Sequence, residues 1–102
     1  MNVIIDQRAQ KEIKKLNQTQ RAKTLEYIVY FEEYGFGLNE KYLKKVDQAT
    51  WELRPGNVRL FLVVIKPNTI VIHAMVKKSQ KITRKTKQII NQRRREWTNE
   101  IK

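Results

Sequence analysis

The stretch Trp51 to Thr83, WELRPGNVRLFLVVIKPNTIVIHAMVKKSQKIT, restricts the fold more than any other part of the chain. Arg54-Pro55-Gly56-Asn57 puts Pro at the turn position whose φ it already satisfies, and Gly next, where a type II turn needs positive φ. Val58 to Ile65 is apolar and largely β-branched, Pro67-Asn68 turns the chain again, and Thr69 to Val76 is another apolar run of strand length. Three adjacent antiparallel strands joined by two hairpins are expected. Alternation along the middle strand puts Arg59 on one face with Phe61 and Val63, and turns Leu60, Leu62 and Val64 to the other. One charge therefore interrupts an apolar strand. It could be a strand-end Arg with a packed stem and a solvated head. Arg54 flanks the same turn, however, while Lys77 and Lys78 end the neighbouring strand and Lys81 follows them. Cations converging at one end of a sheet make an anion site.

The other segments supply the layers. Asn2 to Ile5 reads as an opening strand, and Asp6 can cap a helix in which Ala9, Ile13 and Leu16 share a stripe with Arg8, Lys11, Lys14 and Lys15 outside it. Asn17 interrupts this helix. Thr19 is the expected cap of a second one, with Leu25, Ile28 and Val29 as its buried stripe and Gly35 and Gly37 as its stop. Tyr27, Tyr30, Phe31 and Tyr34 suit helix-to-sheet packing better than base stacking. FGLNEKYLKKV, residues 36–46, connects helices to sheet, with Leu38, Tyr42, Leu43 and Val46 able to pack and Lys41, Lys44 and Lys45 outside. Ile82, Ile89, Ile90, Trp97 and Ile101 fall within one arc of a C-terminal helix, leaving Arg84, Lys85, Lys87, Arg93 and Arg94 on its other sides. The expected architecture is α+β: an antiparallel sheet with an N-terminal helical hairpin on one face and the C-terminal helix by the edge or opposite face.

Composition narrows the partners. A chain of 102 residues is expected to be one domain, and 22 Lys and Arg against 10 acidic residues give a net charge of +12. Such a charge calls for a polyanion. Nucleic acid fits better than a membrane, because no apolar run approaches the roughly 18 residues of a spanning helix and no cleavable leader is evident; a cytoplasmic location is expected. With no Cys and one His, thiolate chemistry is excluded, and no metal site or cofactor is expected.

WELRPGNVRLF, a strand ending IHAMVKKSQKIT and then a charged helix resemble the RelE/HigB superfamily of toxin–antitoxin toxins, in its phage-derived HigB-like branch. EKYLKKV is similar to the family's approach to that hairpin. The resemblance spans Asn39 to Trp97 in detail. It implies a RelE-like microbial RNase-type fold, cleavage of mRNA on the ribosome, where rRNA lines the site, and a cognate helix-turn-helix antitoxin of the HigA type. By the same resemblance Arg59 would contact the scissile phosphate, Arg54 matches the hairpin Arg, and Lys77, Lys78, Gln80 and Lys81 match the run after the strand, with Ser79 for the common Thr. Departures are visible too. Thr50 and Glu52 stand where RelE has paired Lys residues, Thr83-Arg84 replaces the usual Thr-Pro, and no Tyr follows Tyr42.

RNA carries its own nucleophile, the 2′-OH, so a metal-free catalyst needs a base, charge for the phosphorane and an acid for the leaving oxygen. Arg54 and Arg59 are expected to hold the phosphate as bidentate forks. Lys77 or Lys78 would supply a base or added charge, since crowding by like charges favours a neutral amine. Lys44, Lys45, Gln80, Lys81 and Arg84 are candidate RNA contacts. His73 and Glu52 are competing acid/base candidates, although a lone His inside an apolar strand is more often packed, and Glu52 could simply pair with Arg54. Two other classes remain: a ParE-like toxin of the same fold that poisons DNA gyrase, and a non-enzymatic basic RNA-binding module.

Overall fold

The computed structural model describes residues 2–78 and 81–101. The elements run β1 (Val3–Ile5), α1 (Gln7–Lys14), α2 (Gln18–Tyr34), a 3-10 turn (Gly35–Gly37), β2 (Leu43–Lys45), β3 (Thr50–Leu53), β4 (Val58–Ile65), β5 (Asn68–Val76) and α3 (Arg84–Ile101). One sheet forms in the order β1-β5-β4-β3-β2. Neighbours from β2 to β5 are antiparallel, as expected of short connections, whereas β1 lies parallel to β5. A parallel pair needs a long crossover, and the helices together with β2 to β4 provide it. The connector before the sheet was expected only to pack; it adds β2, which sets Leu43 opposite Leu53 with both side chains buried.

Alternation along β4 divides the core as the sequence implies. Leu60 and Leu62, with Leu53, Val71 and Ala74, meet Ala9, Ile13, Tyr27, Ile28 and Phe31 of the helical hairpin on one face. Phe61, Val63, Ile70 and Ile72 meet Ile90 and Trp97 of α3 on the other. The β4/β5 register slips between Phe61, which faces His73, and Leu62, which faces Val71, so β5 carries one extra residue there. That bulge leaves Ile72 in the α3 cluster while His73 stacks on Phe61, with ring centroids 6.0 Å apart.

Two expectations for α2 need correction. Its cap is Asn17, not Thr19: Asn17 accepts from Gln20 N–H at 2.8 Å and the Gln20 side chain returns to Asn17 N–H, a reciprocal capping box. Its buried stripe is Thr24, Tyr27, Ile28 and Phe31, whereas Leu25 and Val29 are 49% and 55% exposed. The aromatic rings take the sheet-facing side because each removes more apolar area from water than Leu25 or Val29 could.

Beyond the end of β1, the edge of β5 would present unpaired backbone groups. Side chains complete it. Glu12 of α1 accepts from Ala74 N–H at 3.1 Å, and Arg93 of α3 donates to Ile72 O at 2.8 Å. Arg93 also donates to both oxygens of Glu12, and His73 Nδ1 lies 3.0 Å from Glu12 Oε1. Arg93, expected to face outward, is thus the residue that ties α3 to the sheet edge. Nearby, the buried Asp6 caps α1 through Arg8 N–H at 2.7 Å and accepts from Trp97 Nε1 at 2.8 Å.

Burial alone would raise the Glu12 carboxyl, but the hydrogen bonds from His73, Arg93 and the Ala74 amide outweigh it and hold it below its ordinary value. Burial opposes ionisation of Asp6 as well and is outweighed by Arg8 and Trp97, so this carboxyl is also held well below the usual range. Both groups bind protons less readily in the folded chain than in the unfolded one. Their stabilisation is therefore fully present above the unfolded carboxylate range and is lost as the pH falls through the folded values. Urea midpoints should hold steady down to about pH 5 and drop below about pH 4. Glu12→Gln should lower the midpoint near neutrality and flatten the acid limb; an unchanged limb would mean that Glu12 does not couple folding to protons.

Candidate phosphate-binding groove

The β3/β4 turn closes one residue later than the type II turn expected over residues 54–57, with Gly56 at its first central position, where positive φ is again required. Gly56 adopts φ +61°, and Val58 N–H closes the turn on Pro55 O at 3.0 Å. A row crosses the sheet from there: Lys44 of β2 opposite Glu52 of β3, and Glu52 opposite Phe61 of β4. Arg54 lies two residues past Glu52 and Arg59 two before Phe61, so pleat alternation puts all of them on the α3 face. Arg59 pairs with Met75, two residues before Lys77. The core of α3 against Phe61, Val63 and Ile90 ends short of this corner, and a groove remains.

Glu52 organises the groove. Its Oε1 is 3.3 Å from Arg54 Nε and 3.4 Å from Arg59 Nε, and all three side chains are largely buried. Arg59 is fixed further, its Nη1 donating to Gly56 O at 2.7 Å and Val58 O at 2.8 Å, while Arg54 Nη1 reaches Glu40 O at 3.3 Å. Arg59 Nε is buried and makes no hydrogen bond of good geometry; its contact with Glu52 is an ion pair. Burial pushes the Arg59 guanidinium down from its usual value, Glu52 pulls it up, and Arg54 pushes it down again. A guanidinium that stays charged under these conditions is poorly solvated, and a phosphate would relieve it.

Around this centre, Phe61, Met75, Lys77, Lys81 and Ile82 enclose Arg59 and Glu52. The space opens into a groove of about 380 Å³ bordered by Lys44, Lys45, Val46, Arg54 and Lys87. Lys45 also lies over the Trp51 ring, 5.6 Å from its centroid. The fold therefore brings together Arg54, Arg59, Glu52, Lys44, Lys45, Lys77 and Lys81. Lys78 and Arg84 are exposed and line neither part, and Gln80 falls outside the described residues. His73 is also elsewhere: it is 6% exposed, separated from the groove by the Phe61 ring, and engaged with Glu12. Lys87 joins the rim from α3; its charge was plain in the sequence, but its proximity needed the helix to fold across the sheet.

A larger depression of about 580 Å³ lies by the opposite sheet edge, bordered by Ile4, Ile5, Asp6, Arg8, Glu96 and Trp97. Its charges already serve one another, through Arg8 to Asp6 at 2.8 Å and Arg8 to Glu96 at 2.6 Å. The cationic groove is the better candidate. Among the described residues no group of three or more His, Asp and Glu could hold a metal, and no helix is long and apolar enough to cross a membrane.

Solved structures of RelE toxins share this fold. The chain superposes on RelE of the archaeal RelE–RelB complex from Pyrococcus horikoshii OT3 with a TM-score of 0.64 at 18% identity, over 76% of this chain and 94% of that one. The RelB–RelE antitoxin–toxin complex from Methanococcus jannaschii gives 0.59 at 18% identity, over 72% and 88%. A doubly substituted E. coli RelE toxin in the free state gives 0.61 at 21% identity, over 93% and 95%. At these identities the likeness is one of fold, and it agrees with the resemblance read from the hairpin. No curated protein sequence matches the chain. The family model for phage derived Gp49-like proteins matches residues 11–95, and the chain therefore belongs to that family, with the fold of the RelE toxins.

Proposed function

We propose that this chain is the toxin of a toxin–antitoxin pair and cuts mRNA on the ribosome without a metal, through attack of the 2′-OH on the neighbouring phosphate. The observation that carries this reading is two guanidiniums held on one carboxylate in a groove whose rim is lysine. Arg59 and Arg54 hold the scissile phosphate and take up the charge that builds on the phosphorane. Arg59 Nη2 has no partner among the described residues and is the donor we assign to a phosphate oxygen. Lys44, Lys77 and Lys81 add positive potential along the RNA backbone. Glu52 fixes both guanidiniums through Oε1, and we assign its other oxygen as acceptor of the 2′-OH proton, because among the described residues it is the one carboxylate bordering the groove. Lys77, which borders both the inner and outer groove, then faces the leaving oxygen.

The antitoxin belongs to the same reading. Archaeal RelE relatives occur as complexes with RelB, and a basic groove of this kind invites an acidic or amphipathic cover.

Primer extension on cellular mRNA after brief induction should show cuts within translated frames. Arg59→Ala should abolish them while leaving a folded protein. Growth arrest without cuts would instead favour a gyrase poison, and neither arrest nor cuts a basic binding module.

Glu52→Gln separates chemistry from scaffolding, since Gln still offers an oxygen to both arginines but accepts no proton. If Glu52 is the base, single-turnover cleavage should fall by about 10²- to 10⁴-fold with RNA affinity little changed. A loss under about tenfold would leave Glu52 as a positioning residue alone.

With so few acid/base groups, the groove needs its substrate bent into line by something else. Naked RNA should accordingly be cut poorly. Efficient cleavage of protein-free RNA at nanomolar enzyme would remove the ribosome from the mechanism.

A further inference from the structure

The cationic groove does not end at its lysine rim. Val46, Ile82 and Lys87 are shared with an adjoining pocket of about 280 Å³, which is completed by Asp47, Thr50, Ile90 and Asn91. Its chemistry differs from the groove's. Val46 and Ile82 are partly exposed apolar side chains and Ile90 is buried, so the pocket offers apolar surface beside polar groups instead of another set of cations.

The polar groups are built and partly unused. Asp47 Oδ1 accepts from Ala49 N–H and Thr50 N–H, both at 2.9 Å, and lies 3.9 Å from Arg94 Nη1. Asp47 Oδ2 has no partner among the described residues. Arg94 donates through Nη2 to Asn91 Oδ1 at 3.0 Å and through Nη1 to Thr50 Oγ1 at 3.3 Å. This fixes the Asn91 amide with its oxygen toward Arg94, so its NH₂ is left without a described partner. An acceptor from Asp47 and a donor from Asn91 thus border one apolar-walled pocket. Ligand pockets for drug-sized molecules start at about 300 Å³, so this one suits a single planar ring system.

We infer that this pocket receives a nucleobase of the RNA strand whose phosphate lies on Arg54 and Arg59, and that Asp47 makes it select against uracil. The inference rests on the RNase reading above. Val46 and Ile82 would cover the faces of the base, as aromatic and apolar side chains do for a base taken out of its stack, while Asp47 and Asn91 read its edge. A carboxylate can only accept. Adenine, cytosine and guanine each present an exocyclic amine to it, whereas uracil presents one ring N–H flanked by two carbonyl oxygens that a carboxylate repels. The Asp47 turn and the Arg94 bridge hold the reading groups in place before any RNA arrives.

The experiment maps 5′-hydroxyl ends across the transcriptome after brief induction of the wild type, Asp47→Asn and Asn91→Ala. In the wild type, uracil should be depleted roughly tenfold at one fixed position beside the cut, the factor a single well-matched base contact supplies. Asp47→Asn keeps the oxygen that closes the turn and adds a donor for a uracil carbonyl, so the depletion should disappear while the number of cuts is retained. Asn91→Ala, which leaves the turn intact, should weaken discrimination among the three amine-bearing bases without admitting uracil. Cuts with the same base profile in all three proteins would overturn the subsite and leave the RNase reading standing. No cuts from the wild type would overturn both.

Discussion

Much of this fold depends on one carboxylate. Glu12 reaches from α1 to the stretch of β5 edge that β1 is too short to cover, takes a backbone N–H there, and binds Arg93 of α3 and His73 of β5. The helical hairpin and α3 pack on opposite faces of the sheet, so without such a link their positions would be independent. A side chain with two acceptor oxygens is suited to this because it satisfies an open strand edge and attracts a cation from the far layer at once. Asp6 does related work a turn earlier through Arg8 and Trp97. Together they fix where α3 lies on the sheet.

The position of α3 in turn shapes the groove. Its packed segment around Ile90 covers the middle of the sheet, its N-terminal turn brings Lys87 over the corner, and Arg94 reaches back to Thr50 and Asn91. The cationic groove and the mixed pocket beside it are what remains uncovered between that helix and the β2/β3 end of the sheet. A chain with net charge +12 pays in self-repulsion for concentrating cations there. Glu52 offsets part of the cost locally by holding Arg54 and Arg59, and it does so from a buried position where the attraction is little screened.

Anion binding in such a groove depends on position and charge. Arg59 is pinned by two backbone carbonyls of its own turn, and that turn exists because Gly56 supplies positive φ. The same short motif therefore makes the hairpin and orients the side chain. Where a RelE-like site would carry paired lysines, this chain carries Thr50 and Glu52. The first accepts from Arg94 at the edge of the adjoining pocket, and the second gathers the arginines, so both departures have structural employment here.

How much of this was legible beforehand follows the range of the interactions. Alternation in β4, the two turns and the apolar arc of α3 are local patterns, and they determined the strand pairing, the division of the core and the cationic corner with Arg54, Arg59, Lys77 and Lys81. Composition determined the net charge of +12, from which a polyanionic partner is expected. Tertiary structure decided what depended on competition between distant groups. The face of α2 that packs went to Tyr27 and Phe31 instead of Leu25 and Val29 because only the assembled sheet sets which side chains bury more area. His73 left the site because a bulge in β5 and Glu12, far away in sequence, claimed it. Arg93 turned inward because an unfilled strand edge awaited it. Periodicity registers neither a bulge nor an open edge, since both arise only once strands of different length lie side by side.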